Sequence, residues 1–311
     1  MSSDTKTYQI IIDSGADFPA ELAKSLGIEM LGFDYVIDGE AYVDDSWEHT
    51  DPHEFYEKLR QGAQASTSQY SFGKAIDFFE KKAQAGIDII YVSMTEALSK
   101  SVDQSRHAAE IVMEKYPGTR IEVFDPKLDS SANANLVIEM LKMAKQGMTI
   151  DELLAWADEA RYFIHGIYTL DNLQRLAEGG RIPVAASQIT GKLNIKPLLS
   201  YDLGGNLTLE GVARGRKRSL QWLAETFLKT SNADFNYPVF VVNGDVPEDA
   251  EYVKTLIQKD KRFNGLPIIT GLIGPILGIH VGPGMLAITY WGNDRRENAS
   301  LSDRIARAIK S

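Results

Sequence analysis

Short runs of apolar residues alternate with helix-period patterns along the first half of the chain. Tyr8–Asp13 (YQIIID) reads as a buried strand, followed by a helix with Asp17 as N-cap and Pro19 at its first position, ending near Leu26-Gly27. IEMLGFDYVID (28–38) is one extended stretch and DPHEFYEKLRQG (51–62) a helix, after which ASTSQYSFGKAIDFFEKKAQAG (65–86) reads as a hydroxyl-rich loop running into an amphipathic helix. DIIYVSM (88–94) and RIEVFD (120–125) are further strands. Helices follow at 102–118, 130–147 and 148–162, the last begun by Thr149 or Asp151. Repeated βα units with continuously apolar strands predict a doubly wound parallel sheet covered by helices on both faces.

The rhythm changes after residue 162. FIHGIYTL is a strand, and LNIKPLLSYDLGGNLTLEGVARGR (193–216) predicts a hairpin around Gly204-Gly205-Asn206. Strands at 237–244, 266–273 and 284–292 and helices at Arg218–Lys229 and Asp249–Asp260 complete an α+β, mixed-sheet pattern. The chain therefore divides into an α/β parallel-sheet domain, 1–162, and a mixed-sheet α+β domain, 163–311. Two units suit 311 residues.

Composition narrows the chemistry. The chain has no cysteine, which excludes disulfides, thiolate metal sites and a cysteine nucleophile. A formal charge of −10 argues against nucleic acid as a partner. The first residues carry no signal-peptide pattern and no apolar run reaches a membrane span, so the expected location is the cytoplasm. Arg214, Arg216, Lys217 and Arg218 form a basic cluster, either a solvated helix start or an anion or partner site.

Ligands of open parallel sheets sit outside the carboxyl ends of the strands. The loops expected there are rich in hydroxyls: Ser14, then Ser66-Thr67-Ser68, then Ser93, Thr95, Ser99 and Ser101, then Ser130-Ser131. Each is an N-cap taken singly; together, beside helix N-termini, they favour an anion such as a carboxylate or phosphate. Dinucleotide, P-loop and GxSxG patterns are absent. His49, His53 and His107 lie in polar or helical contexts, and His165 reads as a core or interface histidine. His280 differs, on a loop with Gly274, Gly278, Gly282 and Gly284 that allows close backbone approach to a ligand. Asp13 and Asp17 have cap-and-turn roles, with no metal partner at matching spacing. Arg175 and Arg181 flank a helix end at Gly179-Gly180, either at a surface cap or facing a phosphate or partner.

In order along the chain, IIIDSGADFP, STSQ (66–69), LSKS (98–101), LDNLQRLAEGGRI (170–182), GKLNIKPLL (191–199), VARGRK (212–217) and GIHVGPG (278–284) resemble the DegV family of bacterial fatty-acid-binding proteins. The resemblance covers nearly the whole chain. It implies a long-chain fatty acid held in a tunnel between the two domains, with its carboxylate bound by Thr67, Ser68, Thr95 and His280 and with Ser14, Ser93, Ser99, Lys100 and Gly282 near the head-group. It further implies a carrier without catalysis or cofactor, whose ligand a partner fatty-acid kinase converts to an acyl-phosphate for phospholipid synthesis. Arg175, Arg181 and Arg214 would then face that partner. A monomer or weak dimer making transient membrane-surface contact is expected. An enzyme acting on a small carboxylated or phosphorylated substrate in the same crevice, or a lipid-sensing regulatory module, are the alternatives. This chain has Lys100-Ser101 where the family usually has Gly-Thr, and Tyr70 where it often has Pro.

Overall fold

The computed structural model describes residues 7–185, 194–232, 235 and 237–297. Residues 191–193 of the family-like GKLNIKPLL stretch therefore lie outside the described residues. Four parallel strands, β1 (Tyr8–Asp13), β2 (Glu29–Leu31), β6 (Asp88–Val92) and β7 (Ile121–Phe124), form a sheet in the order β2-β1-β6-β7. Strand alternation sorts its side chains onto two faces. Ile11, Ile89 and Tyr91 pack with Phe79 and Ala83 of α3 (Phe72–Gln84) and with Ala108 and Val112 of α4 (Ser101–Lys115). Ile10, Ile12, Ile90 and Val92 face the other way, onto α1 (Ala20–Leu26) and α5 (Ser130–Lys145). The sheet is thus doubly wound, as its apolar strands predict.

The second sheet has six strands in the order β10-β9-β8-β13-β11-β12. Its members are β8 (Ile164–Thr169), β9 (Ile195–Tyr201), β10 (Leu207–Arg214), β11 (Val239–Asn243), β12 (Ile268–Leu272) and β13 (Leu286–Trp291). Only the β11–β12 pair is parallel. The predicted hairpin joins β9 to β10, with Gly205 at φ +86° in its turn. One face is covered by α8 (Arg216–Thr230) and α9 (Pro247–Gln258) through Leu223, Phe227, Val253 and Ile257. The other face meets α5.

Helix α5 is the layer both sheets share. Every residue from Ser130 to Met140 is buried, as a helix enclosed on all sides requires. Ala132, Leu136, Val137 and Met140 belong to one apolar core that also holds Ile12 and Val92 of the first sheet and Phe240, Val242 and Ala287 of the second. Polar ties run through it too. Ser131 and Asn135 bond the Thr289 hydroxyl at 2.8 and 3.1 Å, and the Asn133 amide donates to the Ser93 carbonyl at 3.2 Å.

Several local expectations are corrected. The stretch 28–38 is not one strand: it divides between β2 and β3 (Asp34–Ile37), and β3 belongs to a separate antiparallel sheet, β4-β3-β5. The hydroxyl-rich segment 65–68 is strand β5 (Ala65–Ser68) of that sheet, beside β3 and across from β4 (Glu40–Val43). Asp17 does not cap α1. It closes the short turn Ser14–Ala16 in the left-handed region, φ 45°, and Pro19 stands at the N-cap without a side-chain bond. α6 (Ile150–Ala160) is capped by Thr149 in a reciprocal pair with Glu152, while Asp151 pairs with Arg120. Among the described residues, no helix is long and apolar enough to cross a membrane.

Phe79 is fully buried, edge-on to Tyr91 at 5.6 Å between ring centroids. Phe79→Ala should cost about 3–5 kcal/mol of unfolding free energy in urea denaturation; a loss below about 1 kcal/mol would contradict this packing.

Candidate functional site

The histidine singled out in the sequence stands on a helix, α10 (Pro275–Val281), rather than on a loop. Two contacts seat that helix. The Asp17 carboxylate accepts the Gly274 N–H at 2.7 Å, and the Tyr56 hydroxyl donates to the Ile273 carbonyl at 2.8 Å, from α2 (Pro52–Arg60). Gly278 is required there, because a Cβ would lie 2.7 Å from the Tyr56 hydroxyl. One half-turn on, His280 reaches β5, where its Nε2 hydrogen-bonds Thr67 Oγ1 at 2.8 Å. Its ring also lies against the backbone after α7 (Gln174–Glu178), where a Cβ on Gly179 would come within 2.7 Å of Nδ1.

These groups line a cavity of about 480 Å³, within the range of small-molecule sites. Exposed Ser68, Glu96 and Lys100, with half-buried Thr67, Ser99, Arg181 and His280, form its polar part. Its interior is lined by buried, largely apolar side chains: Phe33, Met94, Leu170, Leu199, Ile273 and Met285. Arg181 is held at the mouth by donating to the Leu98 and Gly179 carbonyls, at 3.2 and 2.6 Å. Burial, with the Arg181 charge, pulls the His280 imidazole down to about 4. The histidine is therefore neutral at physiological pH, and Arg181 and Lys100 carry the positive charge. Glu96, the acid beside them, is neutralised by Lys127 at 2.6 Å and Arg106 at 3.6 Å. Such a mouth can accept one anionic group through hydroxyls, a neutral imidazole and cations, while the interior takes an apolar body.

The model of the DegV family, described as an uncharacterised protein family, matches residues 7–293. A DegV domain-containing protein of Clostridium perfringens is 33% identical over 290 residues, covering 93% of this chain and 99% of its own. The chain belongs to the DegV family. Two solved structures share its fold. A fatty-acid (stearic acid)-binding protein from Eubacterium ventriosum has a TM-score of 0.80 at 23% identity, over 94% of this chain and 100% of its own. A DegV family protein from Thermus thermophilus, described by its fatty-acid binding, has a TM-score of 0.78 at 22% identity, over 92% and 100%.

Other positions highlighted by the DegV resemblance are placed unevenly in this member. Thr95 is fully buried but outside the cavity lining; its hydroxyl accepts the Ala97 N–H at 3.3 Å, and the Gly205 turn packs on it so closely that a Cβ would reach 2.3 Å. Ser14 accepts the Phe33 N–H, and the Ser93 hydroxyl donates to the Phe124 carbonyl, both away from the lining. Gly282 and Arg175 border a neighbouring polar groove, with Arg175 donating to the Leu59 carbonyl at 3.0 Å. Arg214 is exposed on the edge strand β10. Arg216 and Arg218 open α8 and pair with Asp249 and Glu225.

Tyr70 touches the Lys100-Ser101 segment through the Ser101 carbonyl. Tyr70 points inward, fully buried, with its hydroxyl against those of Tyr91 (2.9 Å) and Ser105 and the carbonyl of Ser101 (3.4 Å). Burial lifts that phenol to about 12, so it stays neutral. Lys100, by contrast, is exposed at the mouth. Of the remaining histidines, His49 and His53 pair with Asp45 and Asp245, His107 stacks on Phe72, and His165 stacks on Tyr290 while bonding the Asn293 carbonyl.

Sequence reading missed Asp129 and Tyr168 in the lining, since an acid before a helix reads as a cap. Asp13 does act in that way, taking the Gly15 and Met94 N–H groups at 3.1 and 2.7 Å, and burial pushes its carboxyl up to about 7. Among the described residues no cluster could hold a metal ion.

His280 binds a proton more readily unfolded (about 6.5) than folded (about 4), so its neutral form contributes stability that is complete above about pH 6.5 and lost as pH falls toward 4. His280→Asn should flatten the stability–pH slope across that window, measured by denaturation at a series of pH values; identical slopes would contradict the buried neutral ring.

Proposed function

We propose that this protein is a carrier that binds one long-chain fatty acid, tail inside the cavity and carboxylate at the mouth. The observation that supports it is the joining, in one cavity, of an apolar interior to a mouth where Thr67, His280 and Arg181 converge. Burying about 15 methylenes at roughly 0.8 kcal/mol each gives a gross gain of about 12 kcal/mol, before ordering and association costs. A carboxylate cannot be buried unpaired, so the donors gather at one end and set the direction of the chain. In this reading Thr67, Ser68 and His280 hold the carboxylate, Ser99, Lys100 and Arg181 surround it, and Thr95 holds the loop against the Gly205 turn.

The carboxylate end would be presented to a partner fatty-acid kinase in the cytoplasm for acyl-phosphate formation, with Arg175 and Arg214 on the docking side. Residues 1–162 and 163–311 act as the two units between which the ligand lies, and no cofactor takes part. The Thr67–His280 pair also has the spacing of a nucleophile and its base, which favours an acyl-transferring enzyme as the second reading. An imidazole held near 4 is a poor base at neutral pH, and this weighs for the carrier.

Thr67→Ala and His280→Ala should each weaken long-chain fatty-acid binding about ten-fold in a fluorescent-acid displacement assay, with the fold intact. Unchanged affinity in both would refute the head-group assignment, and turnover of an acyl ester by the wild-type protein would favour the enzyme.

A further inference from the structure

Among the described residues lining the interior of the cavity, Asp129 is a buried acid that an alkyl chain does not need. Asp129 stands at the N-cap position of α5, with φ −140°, yet its side chain makes no cap hydrogen bond. The carboxylate faces the cavity instead, only 6% exposed, and accepts the Tyr168 hydroxyl at 2.9 Å. Among the described residues its donors are the Tyr168 hydroxyl and its own backbone N–H. Adjacent Ser130, held at φ 50° in a region side chains seldom adopt, donates its hydroxyl to Asp17 and has no proton left for Asp129. Tyr168 reaches Asp129 across Gly166, where a Cβ would come within 2.4 Å of its hydroxyl. The other lining groups of the buried part include Leu170, Leu199 and Met285, which offer no donor.

A carboxylate has about four acceptor sites, so with two donors Asp129 keeps acceptor capacity for a group in the cavity. A plain methylene chain laid along this wall supplies no donor. A cationic amine would meet a single acid and would itself need further acceptors. A hydroxyl needs one acceptor and brings one donor. We propose that the preferred ligand is a long-chain acid bearing a hydroxyl along its chain, which donates to Asp129 beside Tyr168. This inference rests on the fatty-acid reading and narrows it to a hydroxylated class. Burial raises the Asp129 carboxyl to about 6, so at about pH 8 it is ionised and the demand for a donor is greatest.

The test is displacement of a fluorescent fatty acid from the delipidated full-length protein at about pH 8 by octadecanoic acid and by a positional series of its monohydroxylated analogues. At least one isomer should bind about ten-fold tighter than octadecanoic acid. Asp129→Leu, checked by its melting curve, should remove that advantage and bind octadecanoic acid more tightly than wild type does. Octadecanoic acid binding as tightly as every isomer to the wild-type protein would overturn the inference and leave the carrier reading standing. An isomer's advantage that survives in Asp129→Leu would overturn it also. Failure of every acid to bind wild type would overturn both.

Discussion

The hydrogen bond between Thr67 and His280 joins residues 213 positions apart and ties together two sides of the cavity's mouth. Thr67 lies on the edge strand of the small antiparallel sheet, and His280 on a seven-residue helix fixed at its start by Asp17. Asp17 in turn ends the turn after the first strand of the parallel sheet. A chain of contacts thus runs from the first strand, through a buried acid, to the helix that carries the imidazole. Burial at that point decides the chemistry: it keeps the ring neutral and leaves the positive charge to Arg181 and Lys100.

The layers beneath the mouth explain why there is a cavity. Helix α5 is packed between two sheets, so the sheets cannot close on each other next to its N-terminus, and Asp129, Ser130, Tyr168 and Met285 line the space there. The bonds from Ser131 and Asn135 to Thr289 fix the position of α5 against the second sheet. A shift of that helix would alter cavity and mouth together.

Much of this was legible in the chain. Ile10–Ile12 and Ile89–Val92 announce strands buried on both faces, and Gly204-Gly205-Asn206 announces the hairpin. What could not be read has physical causes. Ala65–Ser68 lacks the large apolar residues of a strand because neither face of it is fully buried, so its hydroxyls read as a loop. Gly274, Pro275 and Gly278 read as loop punctuation, although Pro suits a first helical turn and Gly278 is there for the Tyr56 hydroxyl. Thr95 looked equivalent to Thr67 by residue type, and only tertiary packing turns it onto its own backbone. Family resemblance named Thr67, Ser68 and His280, whereas Asp129 needed the three-dimensional cavity to be seen.

If an apolar chain fills this cavity with its carboxylate among Thr67, His280 and Arg181, the ligand should travel with the protein through purification. Denaturing mass spectrometry of the freshly purified protein, with the released small molecules quantified, reads this out. About one long-chain fatty acid per protein molecule is expected, of a length that suits the roughly 20 Å reach of an extended chain. Recovery of a small phosphorylated or carboxylated metabolite in the same stoichiometry, with no lipid, would contradict it.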